Sequence, residues 1–250
     1  MCRLLGVVSR QTAPLSDLLA EDITQFLSLA YEHGDGWGIA SLAPDGTVTS
    51  VKEPVPAGTS DRIQDAMRTT TTDAAILHLR MASPGLTLRP GNTHPFGDTH
   101  VAFAHNGDFS PASCLDDVIG DDLLAGAEGG TDSERFYLAV RRRIGEGLEP
   151  PKAILATAAD IGALATRFAS LNCLLLTPAA LYAYTAHDPY SDVIRRRGKD
   201  FFALNYRRSS DSIIIASTGW PQPAPLWSRL PEGQVLEIRR DDLSTVMHRG

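Results

Sequence analysis

At 250 residues, 43% hydrophobic and 21% charged, the chain has an ordinary globular composition and enough length to bury one sizeable core, so one domain over 1–250 is the simplest expectation. A formal net charge of -7 argues against a nucleic-acid or anionic-membrane partner, and the only basic clusters, Arg141 to Arg143 and Arg195 to Arg197, read as solvated stretches. No apolar run approaches the length of a membrane span, and the opening MCRLLGVVSRQTAP has no secretory cleavage site; with three cysteines and no CxxC pair, a cytoplasmic location is the default.

In chain order, Arg3 to Ser9 is the first strand-like run. Leu15, Leu18, Leu19, Ile23, Phe26, Leu27 and Ala30 then recur at intervals of three and four and predict one amphipathic helix. Further strands are expected at Trp37 to Leu42, Thr47 to Lys52, Ala74 to Arg80 and His100 to His105, bounded by Gly, Pro, Asp or Asn. Two helices follow, about Asp132 to Ile144 and Pro151 to Phe168. A second set of strands is predicted at Leu171 to Thr177, Leu181 to Ala186, Phe201 to Tyr206, Ser212 to Ala216 and Gln234 to Ile238. Strands, then helices, then strands is the order of an α+β layered fold and argues against a doubly wound parallel sheet. Gly126 to Gly130 and Pro221 to Pro225 are local breakers, too short to link independent domains.

The chemistry-bearing residues follow the strands. Cys2 permits removal of Met1, and its own α-amine, titrating near neutrality, would then serve as general base for the thiol; taken alone, position 2 is more simply an ordinary residue at a strand start. Arg80 closes an apolar strand, where a planar guanidinium suits a carboxylate; taken alone it is more simply a structural ion-pair arginine. Asn106-Gly107 after an apolar strand has the form of a tight hairpin turn, and also of an oxyanion hole built from a side-chain amide and a backbone N–H. Thr131 and Glu134 fit a capping box that fixes Asp132 in a first helical turn, where its carboxylate suits an ammonium group. The His33-Gly-Asp-Gly-Trp-Gly38 loop lacks a following Gly-Lys-Ser/Thr and reads as close backbone packing beside a site. His33, His78, His94, His100 and His105 lack metal-ligand spacing, so no metal is expected, and no G-x-S-x-G elbow supports a serine triad.

In order, Met1-Cys2-Arg3-Leu-Leu-Gly6, Asp35-Gly-Trp-Gly38, His78-Leu-Arg80, Asn92-Thr-His-Pro-Phe96, Ala104-His-Asn-Gly107 and Thr131-Asp132-Ser133-Glu134 resemble the class II glutamine amidotransferases. Ile213 to Ser217, Trp227 and Leu230-Pro-Glu-Gly233 look like the end of the short stand-alone members, most similar to the bacterial YafJ-like proteins and the γ-glutamyl hydrolase of ergothioneine biosynthesis. The resemblance implies a four-layer αββα sandwich of the N-terminal nucleophile hydrolase type. It also implies Cys2 as nucleophile, Asn106 and Gly107 as oxyanion hole, Arg80 on the substrate carboxylate and Asp132 on its ammonium. The chain departs from the glucosamine-synthase-type members at Met81 and Pro84, which removes or replaces one histidine contact to the substrate. The expected activity is hydrolysis of the γ-amide of glutamine or a γ-glutamyl metabolite through a thioester, with no cofactor. No attached synthase domain is expected. The alternatives are a glutaminase subunit feeding ammonia to a separate synthase partner, and a catalytically idle γ-glutamyl sensor.

Overall fold

The computed structural model describes residues 1–83 and 85–250, so Pro84 lies outside the described residues. Its strands are β1 (Arg3–Pro14), β2 (Trp37–Leu42), β3 (Val48–Glu53), β4 (Thr71–Leu79), β5 (Phe96–Gly97), β6 (Ala102–Ser110), β7 (Arg167–Leu176), β8 (Ala180–Thr185), β9 (Leu204–Arg208), β10 (Ser212–Ser217), β11 (Ser228–Arg229), β12 (Gln234–Arg239) and β13 (Thr245–Arg249). The helices are α1 (Leu15–Leu19), α2 (Glu21–Ser28), α3 (Asp61–Thr69), α4 (Asp116–Ile119), α5 (Asp121–Leu124), α6 (Asp132–Gly145), α7 (Pro150–Leu164) and α8 (Asp192–Arg197). The strands form two antiparallel sheets, ordered β11-β9-β10-β1-β4-β2-β3 and β13-β12-β8-β7-β6-β5.

Alternation along the strands explains the layering, because successive side chains leave a sheet on opposite faces. Leu4 and Val8 of β1, Ala74 and Ile76 of β4, Ala102 and Ala104 of β6, and Leu174 and Leu176 of β7 meet in one apolar cluster between the sheets. The intervening Leu5, Val7, Ala75, Leu77 and Leu79 pack outward against Leu15 and Leu19 of α1, Ile23 and Phe26 of α2, and Ile63, Ala66 and Met67 of α3. On the far side, Phe103, Leu171, Cys173 and Leu175 pack against Phe136 and Val140 of α6 and Ile154 and Ile161 of α7. Helices, sheet, sheet, helices is the αββα sandwich, and the fold is of the N-terminal nucleophile hydrolase type.

Several elements differ from their sequence reading. The helix predicted from Leu15 to Ala30 is split into α1 and α2 by Ala20, whose N–H closes α1 on Ser16 O but whose φ of 45° leaves the helical region. The helix predicted to Phe168 stops at Leu164, and β7 starts at Arg167; Ala158, Ile161, Ala165 and Phe168 keep a helical spacing across the break, so periodicity alone runs through it. Asn106-Gly107 is no hairpin turn. Both residues lie inside β6, paired with Asn172 and Leu171 of β7, and the strand continues to Ser110. The Arg141–Arg143 run is held by Asp98, Asp122 and Asp160, while Arg195 and Arg197 pair with Asp192 and Glu32.

Candidate active site

Extending the alternation toward one end of the sandwich brings the polar residues into focus. Gly6 and Leu4 of β1 face the inter-sheet space, and Cys2, just ahead of the strand, continues that series; on β4 the series is Ala74, Ile76, His78 and then Arg80, just past the strand end. Arg3 is in register with Leu79, which sets Cys2 alongside Arg80. On β6 and β7 the same face carries Asn106 and Asn172, opposite one another in register. Cys2, His78, Arg80, Asn106 and Asn172 are all buried.

The Met81 peptide wraps the thiol. Its N–H donates to Cys2 Sγ at 3.4 Å, and Sγ lies 3.6 Å from its carbonyl oxygen. Burial pushes the Cys2 thiol up from its ordinary range; the N-terminal ammonium, the Met81 hydrogen bond and then Arg80 pull it back down, and Asp132 pushes it further up. A raised thiol is protonated at neutral pH, so making it a nucleophile requires a base. The Met1 ammonium donates to Met81 Sδ at 2.7 Å, and Met1 lines a cleft of about 690 Å³ with Met81, Ser83, Asp108 and Tyr190.

Arg80 is anchored at one end and open at the other. Its backbone N–H donates to Gly36 O at 2.8 Å and its Nη1 to Asp35 O at 3.3 Å, whereas buried Nη2 has no partner. The Asp35 carboxylate accepts the Ala82 N–H at 2.8 Å, so the 33–38 loop clasps the segment that holds Arg80 and Met81. Gly38, on β2, allows the His94–Pro95 backbone to pack against it: a Cβ there would lie 2.1 Å from His94 O.

Asn106 is fully buried, and neither its amide nitrogen nor its amide oxygen has a partner. Such a group is costly to leave alone inside a protein. Gly107 has its own structural reason, since a Cβ would lie 1.7 Å from Ser170 O on β7.

Asp132 opens α6. Thr131 caps the helix by accepting the Glu134 N–H at 3.0 Å, but the Glu134 carboxylate turns away to the N–H groups of Glu128 and Gly129, both at 2.7 Å, so only half of the predicted capping box forms. The Asp132 carboxylate accepts the Phe109 N–H at 3.0 Å, beside a register shift in the β6–β7 ladder. Burial pushes its carboxyl up, opposed first by His105 and then by that N–H.

Three features escaped the motif reading. Asn172, a lone polar residue in the run Leu-Asn-Cys-Leu-Leu-Leu, ties β7 to its surroundings: Nδ2 donates to Phe202 O, and Oδ1 accepts Thr185 Oγ1 and Ala186 N–H, each at 3.0 Å. His78 and His94 stack at 4.0 Å, with burial holding the His78 imidazole down to about 3. Their shared place in the interior is set by the loop, which no spacing rule reveals. His105 contacts Ser133 and Ser170 behind the site. Among the described residues, no three His, Cys, Asp or Glu side chains are grouped to hold a metal ion.

A buried cysteine thus stands beside a strand-end arginine and an open buried amide at one end of an αββα sandwich. Residues 1–249 match the family model described as glutamine amidotransferases class-II, and the chain belongs to that family, whose common chemistry is hydrolysis of the glutamine amide. Comparison with curated proteins returns no match. Among solved structures, a glutamine aminotransferase class-II domain protein from Silicibacter pomeroyi is similar over 99% of both chains, with 18% identity and a TM-score of 0.70. The glutamine phosphoribosylpyrophosphate amidotransferase from B. subtilis, complexed with ADP and GMP, is similar over 99% of this chain and 49% of its own, with 16% identity and a TM-score of 0.64. A predicted glutamine amidotransferase from Pseudomonas aeruginosa PA01 is similar over 97% of this chain and 99% of its own, with 16% identity and a TM-score of 0.57. At these identities the likeness is one of fold. The chain spans about half of the B. subtilis enzyme. No helix among the described residues is long and apolar enough to cross a membrane.

Proposed function

We propose that this chain, acting as one unit over 1–250, hydrolyses the γ-amide of glutamine or of a γ-glutamyl metabolite through a γ-glutamyl thioester on Cys2. The observation that carries the reading is the Asn106 amide, buried without a partner on the face that Cys2 shares. After Met1 is removed, the Cys2 α-amine takes the thiol proton and Sγ adds to the γ-carbonyl carbon. The resulting oxyanion rests on Asn106 Nδ2 and the Gly107 N–H, each such donor being worth about 100- to 1000-fold in rate. The amine returns its proton to the leaving nitrogen, ammonia or an amine departs, and water activated by the same amine releases glutamate. Arg80, through its open Nη2, pairs with the substrate α-carboxylate, and Asp132 takes the α-ammonium.

A cleft of about 690 Å³ adjoins the thiol through Met81, whose peptide wraps it, and room there for a leaving group larger than ammonia favours a free-standing hydrolase of γ-glutamyl amides. This agrees with the resemblance to the YafJ-like and ergothioneine-pathway members. The second reading, a glutaminase subunit serving a separate synthase, draws on the B. subtilis enzyme, of which this chain spans 49%. Glutamate release should be measured from glutamine and from a panel of γ-glutamyl amides, with intact-mass analysis of the protein during turnover. The expected result is release that depends on a chain starting at Cys2, with a γ-glutamyl adduct on that residue. Full activity with Met1 retained would overturn the mechanism.

A further inference from the structure

The residue before Asn106 on β6 points the opposite way, toward α6. His105 is buried, its Nε2 lies 3.1 Å from Ser170 O, and its Nδ1 lies 2.9 Å from Ser133 Oγ. A carbonyl can only accept, so Nε2 keeps its proton in every state, and the proton that varies is the one on Nδ1. Ser133 Oγ is in turn 3.5 Å from Asp132 Oδ1. A hydroxyl has one proton to give. While His105 is neutral, Ser133 donates to Nδ1; once His105 is cationic, Nδ1 donates to Ser133, whose proton turns to Asp132.

We propose that His105 and Ser133 are positioning residues that form, with Asp132, a one-proton relay: it keeps the ammonium subsite neutral when empty and leaves Asp132 anionic once a substrate ammonium arrives. The inference rests on the reading of Asp132 as that subsite. The balance is simple. Beyond the proton fixed on Nε2, the empty trio holds one more, shared between Nδ1 and the carboxyl, and this proton passes to solvent as the ammonium enters. Burial disfavours a lone charge at either end, raising the carboxyl of Asp132 and lowering the imidazole of His105, while each charge supports the other. The other groups facing the trio are Asp108, which favours keeping the proton and is itself paired with Arg167, the Cys2 thiol, and His94 and His78, whose Nε2 is 3.2 Å from His105 O.

The test is the pH dependence of KM and kcat for glutamine in the processed enzyme, native and substituted. Native KM should rise about tenfold per pH unit below one break, because substrate binding displaces one proton. Ser133→Ala removes the hydroxyl that carries the shared proton, and His105→Gln keeps both hydrogen bonds but cannot titrate; each should move the break to lower pH by about one unit or more with kcat little changed. Ser133→Thr, which restores the hydroxyl, should return it. Superimposed KM profiles for native, Ser133→Ala and His105→Gln enzymes would sink the relay alone, provided Asp132→Asn raises KM. An Asp132→Asn enzyme with native KM would sink the subsite reading and the relay with it. On the unsubstituted protein, nitrogen-15 histidine spectra should show His105 Nδ1 losing proton character as glutamate is added, and an unchanged Nδ1 signal would also overturn the relay.

Discussion

Asn106 and Asn172 face each other across the β6–β7 ladder, both fully buried on the inter-sheet face. Asn172 has its amide engaged on both atoms, by Phe202, Thr185 and Ala186, and Asn106 has neither atom engaged. The same side chain, one strand apart, is structural in one place and held open in the other. A satisfied buried amide contributes to the fold, whereas an open one is tolerated where a ligand completes it.

The widest separation of fold from activity should come from Cys2→Ala. It leaves both asparagines in place, so the melting temperature should stay near native while turnover falls by about 10⁴-fold or more, the scale on which loss of a covalent nucleophile acts. Next, the two asparagines should trade effects. Asn106→Ala should lower kcat by about 100- to 1000-fold with little loss of stability. Asn172→Ala strands three partners and should cost about 2–4 kcal/mol in a denaturant melt. Equal stability losses at both positions would erase the distinction. Asn106→Asp separates the two properties less well, because within β6 it buries a carboxylate without a partner, so its melting temperature should fall along with its rate.

Arg80→Lys tests the other open group. Lysine keeps the charge but loses the fork whose Nη2 is free, so KM should rise about 10- to 100-fold with a smaller change in kcat. The smallest effect is one of pH on stability. Burial holds the imidazoles of His33 and His78 down to about 3 from 6.5, so between those values the unfolded chain binds the extra protons. Stability is therefore full above about 6.5 and falls as the pH drops toward 3, by on the order of 1 kcal/mol between pH 7 and 6 for the two together. A flat stability profile over that range would show these histidines to be hydrated.

Much of this was legible in the residues. β2 matched its reading residue for residue, and β1, β4, β8, β10 and β12 emerged from β-branched and apolar runs bounded by turn formers. Cys2, Arg80, Asn106 and Asp132 were picked out by residue type and order. What escaped was set by distant partners. Asn-Gly has the local chemistry of a turn, and only the β7 strand, some 60 residues later, holds it extended. α3 was missed because Ile63, Ala66 and Met67 give a short apolar pattern among polar residues, whose helical state depends on packing under α1 and α2. The Asn172 network and the His105–Ser133 contact join residues 13 to 30 positions apart, a spacing that no local pattern reports.

β1 carries a further consequence, in the timing of synthesis. The strand lies in the interior of its sheet, flanked by β4 and by β10, whose last residue is Ser217. A ribosome moving at about 5–20 residues per second takes roughly 10–45 s to reach that residue after the first strand is made. Until then one edge of β1 has no strand to cover it. The first strand made is therefore among the last to be enclosed, and the sheet around it is completed only by a segment made roughly 200 residues later.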